Sequence, residues 1–148
     1  MSDAKKIIEA INDRYEGVFG KFTMDEENDD QFSTALHPIP GNRHTEGSRI
    51  TVSVEENVDA EYENRVRFVD EKTRPGMMGK PVDVVTRFGF DKEHGRLNNY
   101  SMMGVNGGYV FFTATKGNVL FCAELHVQKR HMTDEDLSGF LRVVLESI

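Results

Sequence analysis

Tyr109-Val110-Phe111-Phe112-Thr113-Ala114-Thr115, Lys116-Gly117-Asn118 and Val119-Leu120-Phe121-Cys122-Ala123-Glu124-Leu125-His126-Val127 are the stretch that decides the fold. The first run is β-branched and aromatic, a composition that suits a pleated surface. Gly117 and Asn118 tolerate the positive φ that short hairpin loops require. The last run alternates: Val119, Phe121, Ala123, Leu125 and Val127 share one face, and Leu120, Cys122, Glu124 and His126 share the other. The first strand is apolar on both faces and is expected in the middle of its sheet. The second turns polar on one face towards its end.

An amphipathic helix follows the hairpin. Thr133 is placed to cap its free amides, with Asp134, Glu135 and Asp136 against the positive end of the dipole. Met132 and Leu137 have the spacing of a hydrophobic staple. Leu137, Phe140, Leu141, Val144, Leu145 and Ile148 recur at three- and four-residue steps and form one stripe. Gly139 costs roughly 1 kcal/mol relative to Ala. Six large apolar side chains, each worth about 1.5–3 kcal/mol when buried, outweigh it. The stripe predicts a helix lying on the hairpin.

The remaining 108 residues of the 148 fit the same single domain, spanning 1–148 around one core. A net charge of −7 with no basic stripe argues against nucleic-acid binding. One cysteine rules out an internal disulfide and suits a reducing compartment. No apolar run approaches the ~20 residues of a membrane helix, and the N-terminus lacks a signal-peptide core, so a cytoplasmic location without membrane contact is expected.

From the start of the chain, Ser2 caps a first helix expected to run to about Glu16, with Ala4, Ile7, Ile8, Ile11 and Tyr15 on its apolar face. Residues 18–24 read as a strand. Asp25-Glu26-Glu27-Asn28-Asp29-Asp30 is the densest charge run; it lacks the spaced ligand pattern of an EF-hand and reads as a solvated acidic loop. Phe32, Thr34 and Leu36 suggest another strand. Residues 37–48 read as a long loop. Ile50, Val52 and Val54 alternate with polar residues as a half-buried strand. Residues 61–69 fit helical spacing through Tyr62, Val66 and Val69 and strand spacing through Val66 and Phe68; the strand is favoured. Residues 73–81 form a connection. Pro81 can open a helix containing Val82, Val85 and Phe88, but a strand over 84–90, a turn at Asp91–Gly95 and a strand over 96–105 read better as a hairpin. Asn106-Gly107-Gly108 is read as the turn into the organising strand. Helix, antiparallel strands, helix gives an α+β fold: a sheet of about five to seven strands with an N-terminal and a C-terminal helix packed on it.

No phosphate-cradling loop, zinc doublet or nucleophile elbow is present. The most specific chemical trio is Cys122, Glu124 and His126, which share one strand face and are all plausible zinc ligands. Their bland reading is a buried thiol followed by a solvated Glu and His as the strand leaves the core. A lone Cys in a strand interior is most often an inert small hydrophobe. Phe111, Phe121 and Phe140 are candidates to line a small-ligand pocket between sheet and C-terminal helix.

Leu97-Asn98-Asn99 ahead of paired strands, Gly117-Asn118-Val119-Leu120, and Met132-Thr133-Asp134-Glu135-Asp136-Leu137 with Phe140-Leu141 resemble the type III secretion chaperone-like group, which includes the YbjN-type sensory transduction regulators. The resemblance is concentrated in the last third of the chain. It implies an acidic, often dimeric α+β protein that holds a partner segment, catalyses nothing and needs no cofactor. That group carries a mid-chain helix, where 82–105 here reads as a hairpin. The leading functional expectation is a chaperone-like, protein-binding module using exposed apolar sheet surface, alone or as a homodimer. The other two expectations are a small-ligand protein using the phenylalanine pocket and a metal-dependent enzyme using Cys122, Glu124 and His126.

Overall fold

Seven antiparallel strands make one sheet: β1 (Phe22–Met24), β2 (Ser33–Pro38), β3 (Arg49–Val54), β4 (Val82–Val84), β5 (Lys92–Met102), β6 (Val105–Lys116) and β7 (Val119–Gln128). Their spatial order is β1-β2-β3-β7-β6-β5-β4. Helix α1 (Val58–Lys72) lies between β3 and β4, and helix α2 (Asp134–Ser147) follows β7. The computed structural model describes residues 22–24, 33–38, 49–73, 80–102, 104–128 and 131–147, with Ala10 and Asp13 in helical conformation. The fold is α+β, as the sequence predicts. The rest of the expected first helix, the acidic stretch 25–30 and residues 39–48 of the expected long loop lie outside the described residues; His37 and Pro38 close β2.

The two apolar runs pair as expected, with Phe112 opposite Ala123 and Ala114 opposite Phe121. On one face Ile50, Val52, Leu97, Val110, Phe112, Ala114, Phe121, Ala123, Leu125 and Val127 are buried. Helix α2 closes that face with Leu137, Phe140, Leu141 and Val143, and Ala10 packs against the same cluster. The staple forms: Met132 and Leu137 are both buried in this core, and Leu137 N donates to Thr133 O at 3.1 Å. Val143, which the expected stripe omits, is buried at 4% exposure while Leu145 is only half-buried.

The connection from β7 to α2 crosses β6 at Gly108. Asn99 of β5 reaches over and treats Met132 as a strand partner: its Nδ2 donates to Met132 O at 2.8 Å, and Met132 N donates to its Oδ1 at 2.8 Å. A Cβ at Gly108 would overlap Asn99 Oδ1 and stand 3.0 Å from Met132 N, so the crossing requires glycine. This corrects the reading of Asn106-Gly107-Gly108 as a turn. All three are inside β6, and Gly107 is bare because the Tyr100 ring occupies the space above it. The reversal between β5 and β6 comes earlier, where Gly104 takes φ 81°.

Residues 61–69 are helical, not a strand. Asn57 caps α1 by accepting from Ala60 N at 3.3 Å, Asp59 and Glu61 occupy the first turn and Lys72 the last. The helix lies on the face opposite α2, where Tyr62 meets Leu120 and Cys122, with Val58 and Val66 alongside. The apparent alternation of Arg65-Val66-Arg67-Phe68 has a different cause: Arg65 points to the sheet, its guanidinium 4.3 Å from the Phe68 ring centre and 3.5 Å from Glu124. The turn expected at 91–95 is likewise displaced, because β5 begins at Lys92. Lys92 and His94 face the helix and pair with Asp59 at 3.1 Å and Asp70 at 2.7 Å, so charges that suggest a turn are strand residues meeting a charged helix. The strand expected over 84–90 is displaced too: the regular strand is Val82–Val84, and the two share only Val84.

Candidate functional site

Strand β4 ends the sheet and pairs only with β5, Val82 opposite Leu97, Asp83 opposite Arg96 and Val84 opposite Gly95. Pro81, buried just before it, lacks an N–H and starts the strand. Asp83 is held on one side by Arg96 at 3.2 Å. Beyond Val84 the chain leaves the sheet in a braced bend. Thr86 gives both its backbone N–H and its hydroxyl to the Glu93 carboxylate, the latter at 2.6 Å. Arg87 sits at φ 56°, and the Arg142 guanidinium of α2 lies 4.6 Å over the Phe88 ring. Phe90 packs on Phe112 at 5.8 Å, and Asp91 accepts from Gly117 N at 2.7 Å.

The result is a fixed edge carrying Val82 and Val85 at 57% and 64% exposure, the exposed large hydrophobic side chains among the described residues. Between this edge and the first turns of α2 runs a groove of about 220 Å³, lined by Val82, Val84, Val85, Leu97 and Leu137 with Asp83, Asp134 and Ser138. An end strand presents unpaired N–H and C=O groups along its outer side, which makes it a template for another strand. Sequence reading saw Val82 and Val85 only as an ambiguous helix or strand. Pro81 ahead of a short valine run was the available signal for an edge; exposure was not readable.

The structure separates Phe111, Phe121 and Phe140. Phe121 and Phe140 are fully buried in the α2-side core, whereas Phe111 is on the other face, edge-on to Phe68 at 6.1 Å and Tyr109 at 5.7 Å. They do not line one pocket. Cys122, Glu124 and His126 do share the α1-side face, but each is directed to a different partner. Cys122 Sγ lies 3.5 Å from the Thr113 hydroxyl, which itself donates to Phe121 O. Glu124 pairs with Arg65, and His126 Nε2 is hydrogen-bonded to the Tyr100 hydroxyl at 2.8 Å. Among the described residues no group of three or more His, Cys, Asp or Glu side chains is placed to hold a metal ion. Burial pushes the Cys122 thiol above its ordinary pKa, against a smaller opposing pull from Arg65 and Thr113. A thiol shifted in this direction offers less of the nucleophilic thiolate than a free cysteine does.

A second arrangement looks catalytic and is not. His131 Nε2 stands 3.3 Å from Ser101 Oγ, the separation of a loose nucleophile–base pair. The same nitrogen faces the Tyr100 carbonyl at 3.1 Å, an acceptor, so it carries the proton and donates. Ser101 gives its hydroxyl hydrogen to Asn106 Oδ1 at 2.6 Å. A base needs a free lone pair, and this nitrogen has none to offer. The contact instead helps fasten His131 beside the Asn99–Met132 clamp.

These features define a class: an antiparallel α+β domain with a helix on each face of its sheet and an apolar end strand. Comparison with known proteins returned no match, either to a family model or to a curated protein. Among the described residues no helix is long and apolar enough to cross a membrane.

Proposed function

We propose that this protein is a non-enzymatic, chaperone-like binding module that holds an extended polypeptide segment along β4. The observation that carries the reading is the pairing of an open strand edge with the exposed Val82 and Val85, beside a groove whose lining mixes apolar and acidic side chains. Strand addition takes affinity from main-chain hydrogen bonds and specificity from pockets for alternate side chains, and the groove offers one such pocket. The resemblance of the last third to partner-holding proteins points the same way. The side chains that suggested chemistry are committed to internal contacts instead.

The binding surface differs in place from the one expected. Helices α1 and α2 pack on the two faces of the central strands, and among the described residues the exposed large apolar side chains are at the β4 edge. A homodimer formed edge to edge through β4 is one form of the same proposal. Purified protein is expected to run as a dimer or to retain a polypeptide identifiable by mass spectrometry. Val82→Lys with Val85→Lys should abolish that association and leave the circular dichroism spectrum unchanged, since both side chains are exposed and lysine on an edge opposes pairing. A wild-type protein that is a clean monomer without a bound polypeptide, or a double variant that associates as before, overturns the reading.

A further inference from the structure

Helix α1 covers the second face of the sheet by a contact that is thin in the middle and polar at its sides. Two of its side chains are buried, Tyr62 and Val69. Its sides are fastened by Lys92–Asp59, His94–Asp70 and Arg65–Glu124, pairs whose side chains keep between 29% and 69% exposure. Its C-terminal end is anchored: Thr73 is fully buried and its hydroxyl donates to Val69 O at 2.6 Å. Its N-terminal half packs on the sheet as well, Val58 and Tyr62 against Leu120 and Cys122, with Lys92 paired to Asp59. A cleft of about 590 Å³ lies at that end, lined by Ser53, Val54, Asn57 and Asn118 and by the carboxylates Glu55, Glu56 and Glu61.

The helix is self-sufficient when it moves, because Asn57 and Thr73 cap it from within its own segment. The floor beneath is also self-sufficient: the Thr113 hydroxyl donates to Phe121 O at 3.2 Å within the sheet. Opening therefore strands no buried polar group in the sheet, which is the condition for a low-cost partial unfolding.

We infer that α1 is a separable cover that lifts from the sheet and uncovers Leu120 and Cys122 while the α2-side core stays folded. This inference does not depend on the β4 reading. Cys122 is the reporter, since Tyr62 packs over it and it is the chain's one thiol. In native buffer at fixed pH, iodoacetamide should label Cys122 faster than the core amides of β6 and α2 exchange with solvent on the same free-energy scale. Lys92→Gln with His94→Gln removes two pairs from the sheet side and leaves the helix sequence intact. It should raise the labelling rate by about two- to thirtyfold, the range for two exposed pairs. Core exchange should be unchanged. Exchange of the α1 amides gives a second measure free of thiol chemistry and should accelerate in parallel. Labelling of Cys122 at the global unfolding rate in the wild type, or a double variant whose labelling is unaltered or rises only with core exchange, overturns the inference.

Discussion

Helices α1 and α2 lie on opposite faces of one sheet and are held by different forces. Helix α2 contributes Leu137, Phe140, Leu141 and Val143 to the core, and its lead-in adds Met132. At about 1.5–3 kcal/mol for each buried side chain, that contact is worth on the order of 10 kcal/mol. Helix α1 buries Tyr62 and Val69 and adds two partly exposed ion pairs and the His94–Asp70 hydrogen bond. By the same scale its apolar part is worth on the order of 4 kcal/mol, and exposed pairs add about 0–1 kcal/mol each. One face is therefore the structural foundation, and the other is a place where the molecule can open without coming apart.

The comparison breaks first at Phe140. Phe140→Ala should lower global stability by about 3–5 kcal/mol, read as a fall in the urea midpoint, because the side chain is fully buried among side chains that cannot collapse into the space. An effect below about 1 kcal/mol would mean that α2 is not the foundation. Tyr62→Ala, a truncation of similar size on the other face, should cost about 1–3 kcal/mol. Much of that loss should be confined to α1, so that its amides exchange faster while those of β6 do not. Equal global losses for the two variants would erase the distinction.

Asn99→Ala is expected to cost about 1–2 kcal/mol by releasing both hydrogen bonds to Met132, with faster exchange around residues 131–133. The smallest effect concerns alkaline pH. Burial raises the Cys122 thiol in the folded state, so its contribution to stability is fully present below the ordinary thiol pKa. That contribution is lost as pH climbs from there through the raised folded value. Tyr62, also raised by its burial and then by Glu63 and Glu93, acts in the same direction at higher pH. Cys122→Ala should flatten the first part of this alkaline decline in denaturation curves measured across pH. An unchanged slope would show that the thiol is not covered in the native state.

The α2 side was legible in the sequence and the α1 side was not, for one physical reason. Burial against α2 is apolar, and the two-residue period of β7 and the three- and four-residue steps of α2 report it directly. Only the last turn drifted, where Val143 is buried and Leu145 half-exposed. On the α1 side the contact is partly charge against charge. Arg65 under the helix imitated a strand, and Lys92 and His94 on β5 imitated a turn. The signal that could have found α1 was local: Asn57 ahead of Asp59 and Glu61, with Lys72 in the last turn. The glycines of β6 misled in a similar way, since Gly107 and Gly108 serve the Tyr100 ring and the Met132 crossing rather than a reversal. Of the candidate site residues, sharing of a face by Cys122, Glu124 and His126 followed from strand geometry. Their separate partners lie on three other elements, and no local pattern encodes them.

The most direct test is native-state hydrogen exchange across a denaturant series, reading both helices in one experiment. The amides of α2 and of β6 should exchange with the free energy and the denaturant dependence of global unfolding. Those of α1 should exchange at a distinctly lower free energy with little denaturant dependence, the mark of a local opening. Both helices exchanging together, at one free energy and one slope, would contradict the account.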